Sequence, residues 1–404
     1  MPSICFYFQV HQPKRLRKYT IFDINKSHLY EDDDANRTIL HKVATKGYLP
    51  TNKLMLDLIN RYQGAFRISY SISGVAIEQM KKYYPEVLDS FKRLVDTGCV
   101  ELISETYYHS LAFLHSTNEF ERQIQKHREL IEKEFGYKTQ TFRNTELIYS
   151  NSIAATAERL GYKTILAEGT EKILDWRNAN FVYKPANCSD IKVLLRNYQL
   201  SDDIAFRFSN RGWNEHPLTA DKFSKWVHGF DGNAETINLF MDYETFGEHQ
   251  WSETGIFDFM WALPDYLLNH TSFKFNTPAE VSSMYQVRDS LDVPNYVSWA
   301  DTERDLSAWK GNYLQDDALE SIFNLEQQVY QSNNPDLIAT WQSLQTSDHF
   351  YYMCTKWFSD GDVHKYFNPY ESPYEAYINY QNVLKDFEGV LATQQSTLAQ
   401  TRVK

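Results

Sequence analysis

The chain has 404 residues, 42% hydrophobic and 23% charged, a composition of an ordinary folded protein large enough for more than one domain. Its net charge of -12 and pI near 5.5 argue against general binding to nucleic acid or to an anionic membrane, where phosphate would be repelled. Aromatic residues make up 15%, with 28 Tyr, 25 Phe and 9 Trp, which suits stacking on sugar rings but equally suits core packing.

The four cysteines (Cys5, Cys99, Cys188, Cys354) are far apart and include no CxxC pair. That removes a zinc-ribbon or thioredoxin-like motif and suggests reduced, packed thiols. The opening residues MPSICFYFQVHQP have no basic start, long apolar run or small-residue cleavage site. No stretch approaches the ~18 apolar residues of a membrane span, so a cytoplasmic location is expected.

In chain order, residues 4–10 (ICFYFQV) form an apolar run closed by His11-Gln12-Pro13, a buried strand ending at a breaker. Basic residues 14–18 and acidic residues 31–34 read as solvated loop surface. Residues 34–62 carry helical spacing at Ile39 and Val43 and again at Leu54, Leu58 and Ile59, with a break expected at Pro50. Residues 66–73 alternate with period two and predict a strand. Residues 85–96 open on a proline, carry an apolar stripe (Val87, Leu88, Phe91, Leu94, Val95) and meet Gly98, which predicts a capped helix. A strand over 100–105 runs into Tyr107-Tyr108-His109, and a helix over 117–135 leads to Thr141-Phe142-Arg143-Asn144-Thr145-Glu146. A helix from Asn151 stops at Gly161, and strand-like runs follow at 164–167, closed by Glu168, and at 191–196. Helices over 220–228 and 255–268 flank residues 236–251, TINLFMDYETFGEHQW.

That last stretch is the most informative. An apolar run stops abruptly in Asp242, Glu244, Glu248 and His249, the form of an active-site strand end in a parallel sheet. A strand entering a solvated acidic loop reads the same way. Strand and helix alternate about seven times before residue ~290, which predicts a parallel β/α barrel over residues 1–290. Beyond it, helical spacing over 306–329, 335–357 and 374–398 predicts a C-terminal α-helical bundle over residues 291–404. The bundle is expected to pack on the barrel and contribute to the substrate cleft, with a turn-rich aromatic connection at 360–374. One polar rim would gather His11, residues 105–109, Glu146, Glu168 and Asp242.

Candidate chemistries narrow quickly. No HExxH or closely spaced His pair exists, no G-x-S-x-G, and the 15 glycines build no phosphate loop. A zinc site from His11, His109 and an Asp, of polysaccharide-deacetylase type, stays open, but the closely spaced ligands of those enzymes are missing; no metal or cofactor is expected. Paired carboxylates remain, as in a retaining glycosidase whose two carboxyls stand about 5–5.5 Å apart. Asp242 and Glu146 both end strands on the expected rim. Arg143 could keep a nearby carboxylate ionised, or simply form a structural ion pair with Glu146.

Five separated motifs, in order, then resemble glycoside hydrolase family 57, most closely its intracellular α-amylase branch. They are His11-Gln12-Pro13; Gly98-x-x-Glu101 with Tyr107-Tyr108-His109; the Glu146 strand end; Asp242-Tyr243-Glu244-Thr245-Phe246-Gly247; and residues 299–312 (WADTERDLSAWKGN). Residues 347–374 resemble that branch too, so the likeness covers essentially the whole chain. The resemblance implies a seven-stranded (β/α)7 barrel followed by a helical bundle, and an enzyme acting on α-glucans or maltooligosaccharides with retention. It implies Glu146 as nucleophile and Asp242 as general acid/base, with His11 near the cleaved sugar and Glu101 on the second motif. His109 stands where relatives can carry another residue.

Burial among Phe240, Tyr243 and Phe246, with the charge of Glu146, is expected to raise the Asp242 pKa so that it can donate a proton. Trp213, Trp251 and Trp309 are candidate stacking platforms, with core packing the alternative for each. Tyr243 and Glu244 are candidate substrate contacts, and Glu248 a solvated loop carboxylate. A 4-α-glucanotransferase, a branching-type transglycosylase or a non-catalytic α-glucan-binding protein would use the same scaffold.

Overall fold

The computed structural model describes residues 2–270, 272–356 and 368–402. Among them are ten strands: β1 (Ser3–Val10), β2 (Ile68–Ile72), β3 (Val100–Leu102), β4 (Thr141–Arg143), β5 (Thr164–Glu168), β6 (Val182–Pro185), β7 (Lys192–Arg196), β8 (Thr236–Asp242), β9 (Lys274–Phe275) and β10 (Asp289–Leu291). They form two sheets, in the orders β3-β2-β1-β8, with β9 also on β1, and β10-β6-β7-β5-β4. All pairings are parallel except β6 with β7. The chain is therefore an α/β protein built on parallel sheets.

The strand bodies are apolar because both of their faces are covered. Side chains of β1 alternate: Ile4, Phe6, Phe8 and Val10 join Ile237, Leu239 and Met241 in one core. Cys5 and Tyr7 join Phe240, Leu166 and Leu194 in another, which draws on both sheets. Backbone hydrogen bonds link the sheets past β3 and past β7. Ser104, just past β3, bridges Phe142 of β4, with Ser104 N donating to Thr141 O (3.0 Å) and Arg143 N to Ser104 O (2.8 Å). Past β7, Asn197 N donates to Asn238 O of β8 (2.9 Å).

The chain divides into two compact units, each assembled from separated stretches: Met1–Gln12, Arg37–Glu105 and Ile124–Trp299 in one, Pro13–Asn36, Thr106–Gln123 and Ala300–Lys404 in the other. The first holds both sheets. The second is helical, with Tyr313–Phe323, Glu326–Gln331, Pro335–Ser343, Ser347–Tyr351 and Pro373–Arg402. Its core includes Trp341, whose Nε1 donates to Ile322 O (2.7 Å), packed edge-on to Phe323 and Tyr330. Its extended N-terminal stretch is tied to the long helix by the buried Asp386 carboxylate, which accepts from Tyr30 Oη (2.7 Å) and Asn25 N (2.6 Å) and pairs with His28 Nδ1 (2.7 Å).

Several local expectations are corrected. Helix does not break at Pro50: Asp33–Val43 continues through a wide π-type turn, Ala44–Tyr48, into Leu49–Arg61. Pro50 follows closely on the wide turn, which accommodates its ring and its missing N–H. The helix Gly74–Tyr83, capped by Ser73, lies where none was read, as do β6, β9 and β10. After residue 300 the first helix among the described residues starts at Tyr313, after turns through 301–312, rather than near 306. The aromatic connection expected at 360–374 lies largely outside the described residues.

One close approach fixes the loop after β8. Gly247 has φ +100, and a Cβ there would sit 2.0 Å from Lys46 O and 2.9 Å from Gly47 Cα, so the loop packs backbone to backbone on the π-type turn. Gly247→Ala is expected to cost about 3 kcal/mol, read as a lowered denaturation midpoint, because neither backbone can yield without unpairing. An unchanged midpoint would show that the turn is free to move.

Candidate active site

Glu146 is presented by a tight turn, Thr145–Leu147, directly after β4. Glu146 (φ 55) and Leu147 (φ 52) are both left-handed, a conformation that costs non-glycine residues about 1 kcal/mol or more each unless the surroundings enforce it. The surroundings do enforce it. Residues 293–299 run antiparallel alongside: Tyr149 and Val297 exchange backbone bonds (2.8 and 3.0 Å), Asn151 N reaches Val293 O (2.8 Å), and Trp299 N approaches Glu146 O (3.4 Å). The Trp299 indole Nε1–H donates to Glu146 Oε2 (2.8 Å).

Beneath this turn lies a layer of buried charge. Arg143, at the end of β4, is fully buried, and none of its three guanidinium nitrogens is hydrogen-bonded to a protein acceptor. It pairs loosely with buried Glu105 (4.0 Å) and lies over the Trp299 ring (4.9 Å to the centre). The hydrogen-bonded ion pair with Glu146 that the sequence allowed is thus not formed. Arg196, at the end of β7, is by contrast tightly held, by Glu168 Oε2 (3.0 Å), Asp202 Oδ1 (2.6 Å) and Phe240 O (2.7 Å). It too lies over Trp299, at 5.7 Å. Gln9 of β1 donates to Glu105 (3.3 Å) and accepts from Tyr7 Oη (3.0 Å). Burial pushes the Tyr7 phenol up; Arg143 opposes this, and Glu105 and Asp242 reinforce it. One phenol thus feels charges from the ends of β4 and β8.

Asp242 ends β8 and pairs in register with Gln9. Two residues on, Glu244 is buried, and its Oε1 accepts from the Tyr48 hydroxyl and from Gln12 Nε2 (3.3 Å). Burial first, and the Asp242 charge second, push its carboxyl up to about 8. Burial and that neighbouring charge thus favour the protonated form of Glu244, which its sequence position did not suggest.

The remaining candidates are placed as follows. His11, half-buried, pairs through Nδ1 with Ser73 Oγ (2.7 Å). Glu101 is buried in β3 below the strand ends, accepting from Thr141 Oγ1 (2.5 Å) and Ala279 N (2.8 Å). Tyr243 is a core residue donating to Asn52 Oδ1 (2.7 Å). Trp213 is half-buried against Trp226, Trp251 is 61% exposed, and Glu248 is ion-paired with Lys42. His109 and Trp309 are both buried in the second unit, His109 at φ 51. Trp299, Tyr48, Gln9 and Arg196 were not singled out from the sequence. Trp299 alone carried a signal there, as the first residue of the fifth motif. Among the described residues no three His, Cys, Asp or Glu side chains converge as a metal-binding group.

A parallel α/β scaffold that raises two partly accessible carboxylates at strand ends above buried charge has the make-up of a glycoside hydrolase. The chain belongs to glycosyl hydrolase family 57, whose sequence profile matches residues 5–294. A curated protein of Methanocaldococcus jannaschii named "Putative alpha-amylase" is 45% identical over 401 residues, covering 95% of this chain and 84% of that protein. The fold is shared with a family 57 branching enzyme from Thermococcus kodakaraensis (TM-score 0.66, 14% identity, 91% of this chain and 87% of that one). It is also shared with the alpha-amylase AmyC from Thermotoga maritima (TM-score 0.63, 13% identity, 97% and 94%).

The Glu244 carboxyl fixes the sign of a pH effect. Its folded value lies above the ordinary 4.5, so its stabilising contribution is complete below about 4.5 and is lost as pH rises towards about 8. Glu244→Gln, which cannot ionise, should match the wild type near pH 4. It should then gain on it by up to about 1.4 kcal/mol per pH unit across that window, read from denaturant midpoints. Parallel pH profiles would contradict a raised Glu244.

Proposed function

We propose that the chain is a retaining, α-amylase-type hydrolase that cleaves α-1,4-glucosidic bonds of α-glucans or maltooligosaccharides. Glu146 is its nucleophile and Asp242 its general acid/base. The observation that carries this reading is selective exposure. Glu101, Glu105, Glu168, Asp202 and Glu244 are buried, whereas Glu146 and Asp242 are both partly open at the ends of β4 and β8. The strained turn under Glu146 supports it, as does the name of the 45% identical relative.

In the first step Glu146 Oε1 bonds to the anomeric carbon as the glycosidic C–O bond breaks, and Asp242 gives its proton to the departing oxygen. In the second step Asp242 takes a proton from water, the water oxygen bonds to the anomeric carbon, and Glu146 leaves as carboxylate. We read the two sheets as one seven-stranded (β/α)7 barrel of β1, β2, β3, β4, β5, β7 and β8. The Ser104–Phe142 bridge and the Asn197–Asn238 bond support that closure. The helices after residue 300 are read as a bundle, with Trp341 and Tyr380 as its core anchors. Four buried cysteines, none in a disulfide, support a reducing, cytoplasmic setting. Among the described residues no helix is long and apolar enough to cross a membrane.

On a maltooligosaccharide, Glu146→Gln should lower kcat by about 10⁴-fold and Asp242→Asn by about 10³-fold, with melting temperatures little changed. Near-wild-type turnover by Glu146→Gln would sink the assignment. Chromatography of products from soluble starch should show short maltooligosaccharides; redistributed chain lengths would mean transglycosylation instead.

Trp251 is the platform candidate with a free face. Trp251→Ala should raise KM for maltooligosaccharides by about threefold to tenfold with no loss of melting temperature. An unchanged KM would remove it from the substrate path.

A further inference from the structure

The buried arginine beneath the Glu146 turn raises a question that the two catalytic carboxylates do not answer. A guanidinium withdrawn from water without hydrogen-bonded acceptors is costly, and such groups persist where function requires them. Arg143, at the end of the strand that leads to Glu146, sits in that state, with Glu105 at 4.0 Å and the Trp299 ring at 4.9 Å. Arg196 covers the same ring at 5.7 Å, its own hydrogen bonds taken by Glu168, Asp202 and Phe240 O. Two cations over one indole withdraw electron density from it, which makes the ring N–H a stronger donor. That N–H points at Glu146 Oε2, 2.8 Å away.

We infer that Trp299 is the positioning residue for Glu146, its indole N–H holding Oε2 so that Oε1 is the oxygen presented for attack. The inference rests on the proposed nucleophile role. Two features fix the placement. The backbone of residues 293–299 is bonded to that of residues 146–151, and the indole packs against the guanidiniums of Arg143 and Arg196.

The consequence for the reaction is asymmetric. In the free enzyme the N–H donates to a carboxylate, and in the glycosyl-enzyme the same Oε2 is the ester carbonyl oxygen, a weaker acceptor. Trp299 neither gains nor loses a proton. Its hydrogen bond strengthens as Glu146 departs from the anomeric carbon, so its removal falls mainly on hydrolysis of the intermediate. Removal also disfavours the ionised carboxylate of the free enzyme.

Trp299→Phe keeps a ring against the two arginines and deletes the donor. With an aryl α-maltooligoside of good leaving ability, kcat should fall about tenfold and KM should fall with it, as intermediate accumulates. The acid limb of kcat/KM should move up by about half to one pH unit. A fall in activity that tracks lost melting temperature, with the acid limb unmoved, would reduce Trp299 to a packing residue. A second readout needs no turnover. In ¹⁵N-labelled wild-type protein, the indole resonance that disappears in Trp299→Phe should shift with pH through one carboxyl titration, and in Glu146→Gln it should not. An indole signal that ignores Glu146 would overturn the inference even in an active enzyme. A titrating signal in a protein that cleaves no α-glucan would leave the contact standing and refute the proposed function instead.

Discussion

The pairing of β1 with β8 is the constraint on which the first unit depends. Residues 3–9 lie in parallel register against 236–242, and the same strand, β1, also carries β2 and β9. One face of each partner is wholly apolar (Ile4, Phe6, Phe8, Val10; Ile237, Leu239, Met241) and the other carries polar groups (Ser3, Gln9; Thr236, Asn238, Asp242), so a shift of one residue would turn those groups into the apolar core. The register therefore has one solution. It sets Gln9 beside Asp242 and turns Tyr7 towards Arg143 and Glu105, which makes strand pairing the reason the site residues meet.

What the strands carry at their ends is costly to fold. Glu105, Arg143, Glu168, Arg196 and Glu244 are all buried, and charges taken from water need partners with good geometry. Arg196 has three such partners, while Arg143 has one distant carboxylate and the rings of Tyr7 and Trp299. Burial of Glu244 favours its protonated form. With the left-handed backbone at Glu146 and Leu147, these are local losses that the surrounding core must offset. Such losses are the usual mark of a site kept for chemistry rather than for stability.

Much of the fold was legible in the residues because its signals are local. Apolar runs at 4–10 and 236–242 and the period-two run at 66–73 read as strands, and Pro85 with Gly98 bracketed a helix where one occurs. The elements that escaped are those whose signal is weak or shared. The strands β9 and β10 have two and three residues, too short for periodicity, and β6 ends on a proline. The helix Gly74–Tyr83 opens on glycine, which propensity reads as a turn, yet Ser73 caps it and Val75, Ala76, Ile77 and Met80 bury its face.

The sequence by itself determined which residue types stand where strands stop: Glu146 after a short apolar run, Asp242 after a long one, and the family motifs around them. It also determined the parallel α/β class, through apolar runs alternating with helical stripes. Only the tertiary structure decided which carboxylates stay open and which are sealed, since Glu244 and Asp242 differ by two positions and look alike in sequence. Tyr48 and Gln12 close around the first because a π-type turn and the end of β1 arrive there. Likewise Trp299 reaches Glu146 only because residues 293–299 are bonded along the turn that follows β4. Burial and hydrogen bonding are properties of neighbours, and these neighbours are brought in by strand pairing and chain packing rather than by adjacency in the chain.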